Sequence, residues 1–143
     1  IILFEGWCVD AKPQKDHELD TPINELEENE DSDALWRKHV NFQLGHAYHE
    51  IFKKIDYLIM LKVPDMESVF EWRSLQEEKL AALCKEKNKP SSHLMSSSEL
   101  SRFIRFYERI TRACLSEMPA RADVLLELNK DHEIHNIAIK DSS

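Results

Sequence analysis

The sequence predicts an α/β fold in which a mostly parallel sheet carries helices on both of its faces. Continuous apolar runs, typical of strands buried on both faces, lie at residues 1–4, 57–61 and 122–128, and a shorter strand is predicted at 134–139. Between these runs, apolar residues recur every three or four positions, as on the buried face of a helix. The order is therefore strand, helix, strand, helix, helix, strand, strand, which favours a sheet between two helical layers.

The first predicted strand ends at Glu5 and Gly6. In open α/β sheets, ligands bind outside the carboxyl ends of the strands. A carboxylate there can orient Mg²⁺ or accept a proton from a substrate hydroxyl, and a glycine allows a close approach of the backbone. An ordinary charged strand end is the alternative interpretation. The chain opens inside this predicted strand without an initiator Met, so we expect a fragment of a larger protein.

Composition narrows the functional class. With 143 residues the chain is long enough for one domain with a core, and its 42% hydrophobic and 32% charged residues are typical of soluble proteins. A net charge of -8 opposes binding to nucleic acid, and no apolar run approaches the roughly 20 residues that span a membrane. Cys8, Cys84 and Cys114 fit no zinc or disulfide spacing and predict buried free thiols in a reducing cytoplasm.

Capping residues place the helices. Asp33 is the predicted N-cap of the first helix and Asp65 that of the second. Ser96 and Glu99 form a capping box before the third helix, which Pro119 ends. The predicted helices run from about residue 34 to 54, from 66 to 87 and from 97 to 118.

Two polar stretches are predicted as loops. Residues 7–33 read as irregular and polar, and the acidic run from Glu25 to Asp33 within them is interpreted as solvated. A loop of this length in a compact domain is usually functional or disordered. Residues 88–92, with Pro90, form the second predicted loop.

Two groups of cations lie on predicted helices. Arg73 can hold a phosphate through bidentate contacts, and a salt bridge to Glu77 one turn later is the alternative. Arg105, Arg109 and Arg112 form a ridge at helical spacing, which we interpret as a surface ridge rather than an anion site.

Short segments in a fixed order carry a family resemblance. They are Phe4-Glu5-Gly6-Trp7-Cys8-Val9, Lys12-Pro13-Gln14, Pro22-Ile23-Asn24-Glu25-Leu26-Glu27, Trp36-Arg37, Val40-Asn41, Ile55-Asp56, Leu58-Ile59-Met60-Leu61-Lys62-Val63-Pro64, Trp72-Arg73, Gln76-Glu77, Lys79-Leu80, Met95-Ser96, Arg102-Phe103-Ile104, Tyr107-Glu108-Arg109 and Glu117-Met118-Pro119-Ala120-Arg121-Ala122-Asp123-Val124. Together they resemble the D-glycerate 3-kinase family of P-loop kinases, which is related to phosphoribulokinase, uridine kinase and pantothenate kinase. Asp10 departs from a glycine in the family pattern, and Lys12 from an arginine.

The resemblance implies a P-loop NTPase-type three-layer sandwich. Residues 1–143 would be the C-terminal part of a single kinase domain, with the Walker A phosphate loop upstream of Ile1. Gly6 and Gly45 are the only glycines, so no G-x-x-x-x-G-K-[ST] loop exists in these residues. The implied activity is ATP- and Mg²⁺-dependent phosphorylation of a hydroxyl, with D-glycerate the first choice of acceptor, in the cytoplasm or, for a plant-like relative, the plastid. The fragment alone is expected to be inactive.

The resemblance also implies site residues. Glu5 would bind the metal and act in catalysis, and Arg73 would act from a lid helix that closes on the phosphates. The nucleotide would lie beside Lys79, Asn129 and His132. The acceptor would lie beside Lys12, Gln14, Asn24 and Arg37. The alternatives are a kinase for a nucleoside or a pantothenate-like acceptor and a non-catalytic binding or scaffold protein.

Overall fold

The computed structural model describes residues 1–87 and 94–140. Two single turns of 3-10 helix, Asp16–Leu19 and Met118–Ala120, accompany five α-helices and three strands. The predicted loop at residues 88–92 lies outside the described residues. The elements are α1 (Glu25–Glu30), α2 (Leu35–Gly45), α3 (Ala47–Phe52), β1 (Ile59–Lys62), α4 (Met66–Glu86), α5 (Ser97–Glu117), β2 (Val124–Leu128) and β3 (Ile134–Ile139).

The described strands form one mixed sheet in the order β1-β2-β3. β1 runs parallel to β2 with Ile59 opposite Val124, and β2 runs antiparallel to β3 with Val124 opposite Ile139. The α/β class is therefore confirmed, whereas the mostly parallel sheet is not. Only residues 129–133 join β2 to β3, and a parallel connection needs about a dozen residues or more, so this pair must be antiparallel.

The two faces of the sheet differ. Met60 and Leu125, which are paired across β1 and β2, pack into a core with Cys114 and Met118. On the opposite face, side chains of β1 and β3 are half or more exposed; they are Ile59, Leu61, Ile134, Ile137 and Ile139. The expectation that the strands are buried on both faces is wrong for the described residues. A continuous apolar run indicates that both faces of a strand carry apolar side chains. Burial of both faces also requires other elements packed on each side of the sheet.

Residues 1–4 do not form the predicted first strand. They lack strand pairing, and Ile1, Ile2 and Leu3 are fully or almost fully exposed. A strand is held by hydrogen bonds to a neighbouring strand, and none of the three described strands pairs with these residues. Glu5 consequently does not lie at the end of a paired strand.

The first predicted helix is divided into α2 and α3. His46 has φ -123° and ψ -91°, which interrupts the helix directly after Gly45. The predicted N-cap is also corrected, because Asp31 rather than Asp33 accepts hydrogen bonds from the backbone amides of Trp36 and Arg37 at 2.7 and 3.0 Å. Its carboxylate can do so because Ala34, at φ 59°, turns the chain into the helix.

The predicted starts of α4 and α5 are confirmed. The Asp65 carboxylate accepts a hydrogen bond from the Ser68 amide at 2.7 Å. Ser96 and Glu99 form the predicted capping box, and α5 gives way to the 3-10 turn that contains Pro119. The contact of α4 with α5 is made by a second core group of Val69, Leu100 and Ile104.

Candidate functional site

A buried ion pair joins α1 to α5. Arg109 donates from Nε and Nη2 to the two carboxylate oxygens of Glu27 at 2.7 and 2.6 Å, and the side chains are 8% and 6% exposed. Arg109 also donates to the carbonyls of Glu18 and Thr21, both at 2.8 Å. One guanidinium therefore holds the segment from residue 18 to 27 against α5. The acidic run is therefore not a loop, because its residues 25–30 form a docked helix, and Glu27 and Asp31 are buried. The other carboxylates of the run are exposed, as the solvated interpretation predicted; they are Glu25, Glu28, Glu30 and Asp33.

The rest of the arginine ridge pairs at the surface. Arg105 donates to Glu25 at 2.6 Å, and the outer end of α5 is joined to α1 by the pair of Arg102 and Glu30. These pairs are half exposed, and pairs of that kind contribute about 0–1 kcal/mol. The predicted surface ridge is thus confirmed for Arg105 and for Arg112, which is exposed and pairs with Glu108, while Arg109 lies in the interior.

Arg37 on α2 holds the same segment from the opposite side. Its Nε donates to the carbonyl of Leu19 at 2.6 Å, and its Nη1 lies 3.0 Å from the Asp31 carboxylate. Burial raises the pKa of Asp31, but hydrogen bonds from Arg37 and from the Trp36 amide outweigh it and hold the pKa below its ordinary value. Arg37 is therefore mostly occupied by protein partners.

A pocket opens between α2 and α5 beside these arginines. Its cavity volume is about 30 Å³, so it is a narrow cleft that holds little more than a water molecule. Three of the predicted acceptor residues, Lys12, Gln14 and Arg37, line it together. Its remaining walls are formed by Leu19, Glu27, Trp36, Val40, Asn41, Leu44, Phe106, Arg109, Ile110 and Ala113.

Asn41 fixes one edge of this pocket. It accepts a hydrogen bond from the Gln14 backbone amide at 2.7 Å and donates to the Gln14 carbonyl at 3.0 Å. This double contact fixes the backbone of Gln14 at the pocket wall. Sequence analysis did not single out Asn41 as a site residue. The available signal was its position one turn after Arg37, on the same face of α2.

Lys12 is the accessible cation of the pocket. Its Nζ donates to Asp10 at 2.8 Å, and its side chain is 41% exposed, which leaves two N–H groups for a ligand. Asp10 also pairs with Arg121. Asp10 has φ 58°, in the left-handed region that glycine favours and Asp tolerates. The backbone of Asp10 therefore adopts a conformation typical of glycine, the residue that the resemblance leads us to expect at this position.

Asn24 lies outside the pocket wall. It is the N-cap of α1, where its side chain accepts from the Glu27 amide at 3.0 Å. Its amide nitrogen donates to the Arg105 carbonyl at 3.1 Å and to Glu108 at 3.0 Å. These contacts dock α1 on α5. The pocket that Lys12, Gln14 and Arg37 line does not include Asn24, so the structure does not place Asn24 beside the other predicted acceptor residues.

The two predicted catalytic residues lie near one aromatic cluster. Trp7 stacks on Tyr107, with ring centroids 5.4 Å apart, and also approaches Phe103. The Arg73 guanidinium lies over the Phe103 ring at 5.6 Å. Glu5 is exposed and precedes Trp7 closely in the chain. The cluster therefore brings the segment of Glu5 and the helix of Arg73 to the same part of α5.

Arg73 is paired within its own helix. It donates from Nη2 to Glu77 at 3.2 Å and from Nη1 to Gln76. The salt bridge that was the alternative interpretation is thus formed. A phosphate contact from Arg73 would replace it.

The hairpin between β2 and β3 contains two of the predicted nucleotide residues. The Asn129 side chain accepts from the amides of Asp131 and Glu133 at 3.0 and 2.9 Å, which holds the turn. The His132 ring stacks on Trp72 of α4, with centroids 4.1 Å apart. Lys79 is exposed on α4, about 10 Å further along the helix than Trp72.

Asn129 also lines a second pocket, at the carboxyl ends of β1 and β2. Lys62, Lys130 and His135 contribute basic side chains to it, and Lys62 is paired with Glu127 at 2.8 Å. In α/β folds this edge of the sheet is where ligands bind.

The described residues contain no cluster of metal ligands. Within residues 1–87 and 94–140, no group of three His, Cys, Asp or Glu side chains could hold a metal ion. Mg²⁺ often takes one or two carboxylates and completes its shell with phosphates and water. A single carboxylate such as that of Glu5 could therefore bind Mg²⁺ only together with a nucleotide.

None of the helices in residues 1–87 and 94–140 combines the length and the apolar character that a membrane span requires.

Comparison with known proteins identifies a relative of part of this chain. No protein-family model and no solved structure matches the chain. Over 82 residues, however, the chain is 34% identical to the uncharacterized kinase mug58 of Schizosaccharomyces pombe. The match covers 57% of this chain and 28% of that kinase, so the chain spans less than a third of its relative's length. The chain is therefore similar, over more than half of its residues, to part of a protein named as a kinase.

Proposed function

We propose that this chain is part of an ATP-dependent kinase with a P-loop fold that phosphorylates a hydroxyl of a small carboxylic acid. The observation that carries the proposal is the 34% identity over 82 residues to a protein named as a kinase. D-Glycerate is the acceptor that the family resemblance names, and it is the reference acceptor for any test.

The pocket between α2 and α5 supports an acid as the acceptor. Lys12 offers an ammonium group with two free N–H donors, and the Gln14 amide lies beside it on the pocket wall. A carboxylate at the mouth of the pocket would be neutralised by Lys12 and would accept from both side chains. In a protein with a net charge of -8, such a local cation is what allows an anion to bind.

Bound ATP would supply the phosphoryl group, with Mg²⁺ neutralising its charge. These 143 residues contain no phosphate-cradling glycine loop, so the proposal requires such a loop elsewhere in the complete protein. Glu5 would hold the metal or take the proton of the acceptor hydroxyl. Asn129 and His132, with Lys79, would border the nucleotide, and Arg73 would leave Glu77 to approach the phosphates.

The test is ADP release by the complete protein with Mg-ATP and a panel of acceptors that includes D-glycerate, pantothenate and uridine. We expect release that depends on a hydroxy acid. A folded protein that releases no ADP with any acceptor would overturn the proposal in favour of a non-catalytic binding protein. ADP release with uridine and with no acid would support the kinase activity and contradict a carboxylic acid as the acceptor.

A further inference from the structure

We infer that the pocket at the carboxyl ends of β1 and β2 is an anion site, in which Lys62, Lys130 and His135 bind the phosphate group of a small molecule. The proposed function gives these three side chains no role, and their binding of an anion does not depend on catalysis. Three observations carry the site: the size of the pocket, the way in which the sheet presents the side chains, and the positive charge that they leave available.

This pocket is large enough for a small ligand. Its cavity volume is about 390 Å³, whereas the cleft between α2 and α5 has only about 30 Å³. Small-molecule sites in proteins usually measure about 300–1,000 Å³. Val63, Pro64 and Leu128 add apolar wall beside the basic side chains. The pocket therefore has room for a phosphate group together with the body that carries it.

The register of the sheet directs a polar row to this pocket. Lys62 of β1 lies opposite Glu127 of β2, which in turn lies opposite Asn136 of β3. Because residues two apart on a strand share a face, this row lies on the same face as Met60 and Leu125, which pack into the core. The core-facing side of the sheet thus changes from apolar to polar where β1 and β2 end.

A β-bulge brings His135 to the same pocket. Glu127 pairs with Asn136, but Leu128 pairs with Ile134, so the register shifts and leaves His135 without a partner on β2. In a regular ladder, His135 would lie on the opposite face from its neighbour Asn136. A bulge redirects the side chain of the extra residue, and bulges are frequent beside functional sites. His135 thus lines the pocket together with the two lysines.

Positive charge remains available in the pocket. Lys62 donates to Glu127 at 2.8 Å, which leaves two N–H groups of its ammonium for a ligand. Hydrogen bonds from Lys62 and from Asn136 hold the pKa of Glu127 below its ordinary value, so this carboxylate is charged and already has two donors. The Nζ atom of Lys130 lies 3.6 Å from Glu67, and both side chains are mostly exposed, so this loose pair is easily exchanged for a ligand.

A phosphate group matches these donors better than a carboxylate does. A phosphate monoester has three acceptor oxygens and a charge of about -1.5 to -2 at pH 7, so it can accept from both lysines and the imidazole together. A carboxylate has two oxygens and one charge, and Glu127 already supplies one to Lys62. Nucleotides and phosphorylated acids both carry the phosphate group, and the experiment distinguishes these two sources.

Calorimetric binding to the complete protein without Mg²⁺ is the measurement. The phosphate probes are 3-phosphoglycerate and ATP, and D-glycerate is the control that lacks the phosphate. We expect Lys62→Met and Lys130→Met each to weaken the binding of a phosphate probe about tenfold, the usual scale for one hydrogen bond between charged groups. Lys85→Met, at an exposed position near the end of α4, is the matched control and should bind as the parent does.

Two further variants separate anion binding from a structural role. Glu127→Gln removes the negative charge of the pocket and releases Lys62, while its side-chain carbonyl can still accept from Asn136, so a phosphate probe should bind more tightly than to the parent. A purely structural role of the pair of Lys62 and Glu127 predicts no such gain. His135→Gln should weaken binding, whereas His49→Gln, at an exposed position of α3, should leave it unchanged.

The outcomes decide both the site and the source of the phosphate. Weaker binding of 3-phosphoglycerate alone in the lysine variants assigns the pocket to a phosphorylated acid, and weaker binding of ATP alone assigns it to a nucleotide. Unchanged binding of both probes in the folded lysine variants overturns the inference, as does binding of D-glycerate as tight as that of 3-phosphoglycerate. Phosphate binding at this pocket without any ADP release supports the site and contradicts the kinase, so the two failures are distinguishable.

Discussion

Arg109 and Glu27, which are 82 residues apart in the sequence, meet as a two-point ion pair inside the protein. The same arginine holds the carbonyls of Glu18 and Thr21, so a single side chain of α5 organises the segment that forms one wall of the pocket. Loss of this pair would therefore destabilise the docking of α1 and would also free the pocket wall that this segment forms.

Arg109→Ala should destabilise the protein by about 3–5 kcal/mol, because Glu27 would be left as an unpaired buried charge. Arg105→Ala is the matched control, since its pair with Glu25 is partly exposed and should contribute about 1 kcal/mol or less. Denaturant unfolding of both variants measures the difference. Similar losses for the two would show that burial of the Arg109 pair does not govern its contribution.

Residues 1–143 alone should neither hydrolyse ATP nor transfer its γ-phosphoryl group. The phosphate-cradling loop and its lysine supply the main contacts to the β- and γ-phosphates in P-loop kinases, and no such loop occurs in this sequence. A coupled ADP assay with the purified chain is the measurement. Turnover above background would mean that the kinase site does not need that loop.

Glu5→Gln in the complete protein should lower kcat by about 10²-fold or more and leave the melting temperature unchanged. The proposed carboxylate role in metal binding or proton transfer needs its charge, whereas the side chain is exposed and contributes little to packing. Glu78→Gln, at an exposed position of α4, is the control. A near-normal kcat for Glu5→Gln would assign this residue to an ordinary surface role.

Arg73→Ala and Trp72→Ala should separate catalysis from packing. The first removes a cation proposed to stabilise phosphate charge in the transition state, so kcat/KM should fall. The second removes a ring that stacks on His132 and donates to the Lys130 carbonyl, so the main loss should be in stability. Kinetics and thermal unfolding of both variants are required. Full activity of Arg73→Ala would leave its pair with Glu77 as its whole role.

Asp65 should make stability depend on acidic pH. Hydrogen bonds from the Ser68 amide and hydroxyl lower the pKa of Asp65 below its ordinary value of 3.8. The charged form is thus favoured in the folded state, and its contribution is present above the unfolded pKa and is lost as the pH falls through the folded pKa. Asp65→Asn keeps a capping oxygen without the charge. Unfolding measured between pH 7 and 2.5 should therefore lose less stability in this variant than in the parent.

Local signals predicted the later half of the chain well. Asp65, Ser96 and Glu99 cap helices through contacts within three residues, so their effect is visible in the sequence itself. The turn at residues 129–133 is also local. Because it is short, β2 and β3 must pair antiparallel, which the prediction of a mostly parallel sheet did not take into account.

Distant partners account for what the sequence could not show. The acidic run around Glu27 has the composition of a solvated segment, and the burial of Glu27 depends on its contact with Arg109. No sequence periodicity predicts a contact between residues that far apart. Residues 1–4 have the composition of a strand, yet pairing depends on a neighbour. The grouping of Lys12, Gln14 and Arg37 was implied by family resemblance, and the structure places all three on one pocket.

The uncovered face of the sheet has a practical consequence. Ile59, Leu61, Ile137 and Ile139 form a water-facing hydrocarbon surface on β1 and β3, the two strands that flank β2. Surfaces of this kind bind fluorescent hydrophobic dyes and promote self-association as concentration rises. Solutions of residues 1–143 should consequently brighten such a dye while still folded, and light scattering should increase with concentration and with salts such as sulfate that strengthen apolar association.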